Sequence, residues 1–551
     1  MELTPQKVYE EYSAGLQFNE QLNLANNVEN NENFYIGKQW EGVQSNGLPT
    51  PVFNFIKRIV NFQIASTSTD NLRINAAPIP SCGVAPMVEV EHVCGVLNSQ
   101  FSAIWETTSA ARRVREFMRD AAVRKDACLY SWFDPEMEIG DGNKGGIRLE
   151  LLENTRVFFG NPTSRDVQDQ PYIIIEKRML KEDAALLAEE YDGDPSHIQP
   201  DSDSVNNRFD RLSGGKVTVL YRYARSKETG TIHTSISVKD MWIREPWDTK
   251  QELYPIVWMS WDRVPDCYHG MSLVDGLIPN QVFVNRTFAM VYMSLMTTAY
   301  PKVVYDKTKV PKWSAAVGAA IGVNGDVDRV AKTIDPATIS PQVSQFIQQT
   351  VEMTKDLSGA TDAALGSTRP DNTSAIIALQ KASSVPMEIV KQSFFQCVED
   401  MARIWVDLMR SYYGSRAVGI TELETPAGKI AAQEWFDFST LKNNPIYIQL
   451  DVGGSAYWSE IAQIQTLDNL LMNNKIATSE YVRRLPAGYI TDQQALVALL
   501  QAEEAAQQGM AVPVPGDMAG PIAAQPEPEV VGGQGYGALQ RAINEQAAAG
   551  I

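Results

Sequence analysis

Apolar residues recur at threes and fours in some stretches of this chain and at twos in others, and this change of period predicts an α+β fold. The first 35 residues start as a helix and then turn Asn-rich, through Asn19, Asn23, Asn26, Asn27, Asn30, Asn31 and Asn33. Amide side chains compete for backbone hydrogen bonds, so a helix end is expected there. Between Val52 and Trp105, the runs Asn54-Phe55-Ile56 and Asn71-Leu72-Arg73-Ile74-Asn75, broken by Pro78, Pro80 and Pro86, predict mixed helix and extended chain. From Glu91 to Tyr130, Val93, Val96, Leu97, Phe101, Ile104 and Trp105 fall at helical spacing, followed by arginines mixed with apolar residues, and helices are expected. After Ser131 the runs shorten to Glu136–Ile139, Gly146–Leu151, Val157–Phe159 and Tyr172–Ile175, bounded by Gly, Asn and Pro, which reads as a sheet. A helix over Lys181–Tyr191 and a polar linker, Asp192–Gly215, come next. Val217, Val219, Tyr221 and Tyr223 then alternate onto one face, which predicts a compact β unit to about Trp261.

Two long helices follow. Ser272–Ala299 is apolar over many turns, with Pro279 tolerable near its beginning or at a kink. The second starts at candidate caps Asn372, Thr373 and Ser374, kinks at Pro386, and continues through Phe394, Cys397, Val398, Met401, Ile404, Trp405, Leu408, Met409 and Tyr412. Ile389 and Val390 join the same apolar pattern. A strand over Pro445–Val452 and helices from Ala456 to Glu504 are expected after it. Ala, Gly, Gln and Pro make up 32 of the 51 residues from 501 to 551, so little order is expected beyond about Gln508.

Composition removes several classes of function. The 551 residues, 44% of them hydrophobic, suffice for three or four packed units. Lys plus Arg number 48 against 67 Asp plus Glu, a balance of −19 that opposes nucleic-acid affinity driven by counterion release. Cys82, Cys94, Cys128, Cys267 and Cys397 are odd in number and without a Cys-x-x-Cys pair, which predicts free thiols in a reducing compartment. Met1–Lys7 has neither the basic start nor the apolar run of an export signal, and a cytosolic protein is expected. The stretch Gly276–Pro301 carries one charge, Arg286, but Asn280, Gln281, Asn285 and Arg286 leave only the 15 residues Thr287–Pro301 uninterrupted, short of the roughly 18 to 20 that a membrane span needs.

Catalytic signatures are missing. Gly37-Lys38, Gly215-Lys216 and Gly428-Lys429 all lack the hydroxyl residue of a phosphate loop. Gly140, Gly142 and Gly145 form Gly-x-Gly-x-x-Gly, but between two strand-like runs, where a hairpin turn is expected and a dinucleotide site is not. His92-Val93-Cys94 and Cys267-Tyr268-His269 offer zinc-type donors, yet a one-residue spacer is tighter than the usual two to about four, and coincidence is the better reading. Tyr221-Arg222-Tyr223 interleaves aromatic and basic residues, but strand alternation separates them, so a half-buried strand is favoured over a base-stacking platform. No catalytic residue, metal or cofactor is expected.

Three groups of residues resemble phage portal proteins, the head-to-tail connectors of tailed bacteriophages: Asn33-Phe34-Tyr35-Ile36-Gly37-Lys38-Gln39-Trp40; Pro51-Val52-Phe53-Asn54-Phe55-Ile56; and Gly359-Ala360-Thr361-Asp362-Ala363-Ala364-Leu365-Gly366, running through Arg369-Pro370-Asp371-Asn372-Thr373-Ser374. The resemblance covers roughly residues 10–500, and no single motif in it is diagnostic. It implies a non-enzymatic ring, usually of twelve subunits, at one capsid vertex of the virion, assembled in the host cytoplasm. Double-stranded DNA would enter and leave through its channel without sequence specificity. Implied partners are further copies of the chain, the terminase, a tail or adaptor protein, and the major capsid and scaffolding proteins. No membrane is implied.

The resemblance also implies a division of the chain. A wing would take 1–175, a connecting helix and linker open to use as a first stem segment 176–212, a clip 213–262, a stem helix 263–305 and the second part of the wing 306–357. A tunnel loop over 358–373, the long kinked helix 374–414, a wing return strand 415–455 and a helical crown 456–508 would follow, before a disordered tail 509–551. A channel must hold DNA without sticking, and residues 362–414, with six acids and five bases, are nearly neutral. Arg369 and Lys381, if they face the lumen, would touch phosphates transiently, while Asn372 and Ser374 would shape and cap the loop. Arg369, flanked by Asp362 and Asp371, serves equally as an intersubunit salt bridge. Trp242, Arg244 and Trp247 are residue types that anchor interfaces, although a unit this small also needs them for its own core. The competing reading is another virion or scaffold interaction protein that forms no DNA channel.

Overall fold

A computed structural model describes residues 3–201 apart from 46, 68–71, 80–86, 139–143 and 192; 215–299; 303–359 apart from 311, 313, 315–319, 325–329 and 334–340; 387–452 apart from 426–427 and 444–445; and 467–500 apart from 474, 486–495 and 498. The chain divides into two compact units, Met1–Trp458 and Ser459–Ile551. Mixed helix and sheet agrees with the α+β expectation.

The first unit opens with α1 (Pro5–Gln21), capped by the Thr4 hydroxyl, which accepts from the Lys7 amide at 3.4 Å, with Pro5 in the first turn where its missing N–H costs nothing. The Asn-rich stretch departs from expectation. Helix ends only briefly at Asn23, which is left-handed (φ 50°), and α2 (Leu24–Ile36) then runs through five of the asparagines to Gly37. Tertiary packing overrides propensity here. Buried Asn31 donates to Ser272 Oγ and Asp275 Oδ1, both at 2.9 Å, and Phe34 enters the main core.

That core is helical, built by α3 (Phe55–Thr67), α4 (Met87–Thr107), α5 (Ala110–Arg124), α7 (Leu273–Ala299, with Pro279 inside it) and α9 (Glu388–Tyr412). α9 buries Phe394, Cys397, Val398, Met401, Ile404, Trp405, Leu408 and Met409, the expected three-and-four spacing, but Ile389 from the same pattern is exposed. Met387 precedes this helix, and the portion expected from 374 to 386, including the kink at Pro386, lies outside the described residues.

Against the helices lies an antiparallel sheet in the order β3 (Lys144–Leu152), β2 (Asp126–Glu138), β9 (Ile256–Ser260). β2 begins at Asp126, inside the region expected to be helical to Tyr130: α5 stops at Arg124, and Lys125 takes a positive φ of 82°. The three-glycine motif joins antiparallel β2 and β3. Gly145, its third glycine, lies within β3 beside a register irregularity, has φ +85° and would place a Cβ 2.5 Å from the Phe133 ring, so that position requires glycine.

The strands of 213–262 do not close a sheet of their own. β6 (Lys216–Arg225), β7 (Ile232–Val238) and β8 (Met241–Asp248) continue a five-stranded antiparallel sheet from β4 (Val157–Phe159) and β5 (Tyr172–Leu180), and β9 pairs with β2. β5 also runs across the position-175 boundary drawn from the sequence. Between β5 and β6, α6 (Lys181–Glu190) packs Ala184 and Ala188 on Val217 and Val219. The two sheets meet through Tyr130 and Tyr223, whose hydroxyls are 2.6 Å apart.

Further pairs are β1 (Leu72–Pro78) with β14 (Ile446–Val452), β10 (Val303–Tyr305) with β11 (Ala331–Thr333), and β12 (Ser415–Thr425) with β13 (Gly428–Asp437). The last is a long hairpin inside 415–455, the expected wing return segment, where the residue pattern predicted a strand only over 445–452. α8 (Pro341–Leu357), from the expected second wing part, packs beside α7, with Asn280 Nδ2 donating to Thr354 Oγ1 at 3.0 Å. In the second unit, α10 (Thr478–Arg484) holds Tyr481, whose hydroxyl donates to Asp468 at 2.6 Å. Most of the expected crown and all of 509–551 lie outside the described residues.

Candidate functional site

β8 is the outer strand of the five-stranded sheet, and its register with β7 slips twice, at Thr234/Ile236 and at Ile236/Ser237. Such irregularities re-aim side chains on an edge. Trp242 packs against the cluster of Val8, Tyr12, Phe158, Ile174 and Leu220, on the α1 side of the sheet. Trp247 packs on the α6 side, against Ala184, Ala188 and Ile243. The Arg244 guanidinium lies 3.6 Å from the Trp247 ring centre and 4.3 Å from that of Tyr191, held between two aromatic faces. All three side chains are half-buried in their own chain, while Glu245 and Pro246 between them are exposed. The core role left open by the sequence is therefore occupied, and what faces outward is the strand edge.

Beside this edge a cleft of about 670 Å³ opens between the sheets, lined by Trp132, Tyr191, Tyr221, Tyr223, Trp247 and Tyr412 among others. Arg222 points to the other face and pairs with Glu11 at 2.7 Å, the separation that strand alternation predicted. Among the described residues, no group of three or more His, Cys, Asp or Glu could hold a metal ion. The two zinc-like triplets have separate partners: His92 faces Glu434 at 3.4 Å, whereas buried His269 Nδ1 lies 2.7 Å from Asp126 Oδ2 and its Nε2 lies 3.1 Å from Asn19 Oδ1. Asp126 also accepts from the Gly270 amide at 2.8 Å, so this cluster fastens α1 and the entry to α7 onto the start of β2.

Arg369, Asn372, Ser374 and Lys381 lie outside the described residues, as does most of the loop that contains them. Arg286 stands exposed on α7, and no charge follows it from Thr287 to Ala299. Among the described residues no helix is long and apolar enough to cross a membrane.

No curated protein matches the chain. The family model described as phage P22-like portal protein matches residues 216–423, from the first residue of β6 through α7, α8 and α9 into β12. That match supports a phage portal protein, as the sequence resemblance had implied.

Proposed function

We propose that this chain forms the ring at one capsid vertex through which double-stranded DNA is packaged and ejected, docking the terminase and then the tail. The observation that carries the reading is the family match over 216–423, because it takes in three successive long helices and the strands leading into them. Phage portal proteins are structural rather than enzymatic, and they act in the capsid as oligomeric rings. In this reading α7 is the stem helix, α8 belongs to the second part of the wing, β2 and β3 belong to its first part, the strands of 213–262 to the clip, and the exposed edge at Glu245 and Pro246 contacts neighbouring subunits, terminase or adaptor.

Electron microscopy of the purified chain, paired with its native mass, tests the ring. A central hole wide enough for duplex DNA at a mass near a dozen copies is expected. Small particles at every salt concentration would favour the competing scaffold-type reading.

Arg369 and Lys381 are assigned transient phosphate contacts, and Asn372 and Ser374 the shaping of the loop. Rings carrying Arg369→Ala are expected to package or eject DNA at altered rates in a packaging assay. Unchanged rates would leave Arg369 to an intersubunit salt bridge.

A further inference from the structure

The helix pair α7–α8 leaves an apolar stripe exposed on each helix. On α7, Phe283, Arg286, Met290 and Met293 follow one another at steps of three, four and three residues, all exposed. On α8, Phe346, Gln349, Met353 and Asp356 repeat the same steps, with Leu357 beside them, and Leu357 is 88% exposed. Steps of three and four place each set along one helix face. Phe283 and Phe346 meet edge to face across the pair, ring centres 5.7 Å apart, and both still stand exposed. Residues 287–299 of α7 carry no charge at all, and Met290, Tyr292, Met293, Leu295 and Met296 there stand exposed, an apolar surface that calls for a cover.

Each stripe holds a single charge, and the two are opposite. Neither the Arg286 guanidinium nor the Asp356 carboxylate has an ion-pair partner among the described residues. Most other arginines of the helical core are matched: Arg119 and Arg124 meet Glu32 and Asp120, and Arg410 meets Asp407 at 2.6 Å. An unmatched cation on one apolar stripe and an unmatched anion on another, in one chain, are complementary to a second copy of that chain.

We infer that the α7 stripe of one subunit packs against the α8 stripe of the next, with Arg286 of one copy opposite Asp356 of the other. Laid antiparallel in that register, Met290 meets Met353 and Phe283 meets Leu357. The contact joins two different surfaces, so it is heterologous and generates a ring when the rotation closes. It rests on the portal reading and names the surface that reading requires. The apolar residues supply the affinity, and the charge pair sets the register and excludes misaligned copies.

The test uses the full-length chain and native mass. Arg286→Glu and Asp356→Arg, made separately, are each expected to reduce the ring-sized species at least tenfold, with circular dichroism of the subunits unchanged. Combining both substitutions in one chain restores the pair and the ring. Mixing the two single variants one to one also restores it, because an alternating ring matches charge at every junction. Rings that form undiminished from either single variant would overturn the interface while leaving the portal reading intact. Failure of both the double variant and the mixture to recover would overturn the Arg286–Asp356 pairing. An unsubstituted chain that forms no ring would remove the portal reading, and this inference with it.

Discussion

Replacing Trp405 by alanine is expected to lower the unfolding free energy of the first unit by about 3–5 kcal/mol. Trp405 is fully buried at the centre of α9, among the residues that join that helix to β2, and its indole N–H donates to Ser131 Oγ at 3.1 Å. Alanine removes the largest of the fully buried side chains and leaves a cavity that the rigid β2 strand cannot close. Trp405→Phe keeps most of the volume and loses the hydrogen bond, so a loss of only about 1–2 kcal/mol is expected. Urea titration followed by circular dichroism, with the midpoint falling at unchanged slope, measures both. A Trp405→Ala midpoint within error of the parent would show that α9 is not the core helix described above.

Alkaline unfolding between about pH 10 and 12 is the second large effect expected. Tyr12, Tyr130, Tyr223 and Tyr413 are all buried, and burial is the main cause that raises each phenol above its ordinary value of 10. For Tyr12 the Glu176 carboxylate adds to the rise; for Tyr130 the neighbouring Tyr223 does. Tyr413 is pushed up to about 12, the Arg416 guanidinium stacked on its ring partly offsetting the burial. The folded values lie above the unfolded one, so the contribution is fully present below pH 10 and disappears as pH rises through the folded values. Tyr413 alone corresponds to about 3 kcal/mol across that window, a large fraction of what a marginally stable domain retains, and the other three phenols act in the same direction. Phenolate absorbance is expected to rise cooperatively, together with loss of circular dichroism. A smooth titration centred near pH 10 with the fold intact would contradict the burial of these rings.

Much of this was legible because periodicity is local. The spacing of Phe394, Met401, Trp405 and Leu408 places them on one side of α9 without knowledge of what covers them, and the alternation of Val217, Val219, Tyr221 and Tyr223 sends them to one face of β6. The hairpin β12–β13 was missed for an equally local reason. Val418 and Ile420 alternate, but the register shifts between Thr421 and Leu423, and the break in the period hides the strand. The candidate loop residues were reached only through family resemblance, since nothing about Arg369 or Lys381 in isolation points to a channel. That Arg286 and Asp356 stand exposed is decided by the packing of α7 and α8, which no local spacing reports.

Sequence alone therefore determined the mixed fold, the long helices, the hairpin at Gly145 and the acidic balance, each of which depends on residues a few positions apart or on simple counts. Only the tertiary structure decided that the weak helix propensity of the asparagine-rich stretch yields to packing in α2, where Asn31 finds Ser272 and Asp275 across 241 and 244 residues. It also decided that β9 completes the sheet of β2, so that the strands of 213–262 divide between two sheets. Strand pairing and helix docking are settled by which surfaces can be buried together and which polar groups can be satisfied there, and no local pattern carries that information.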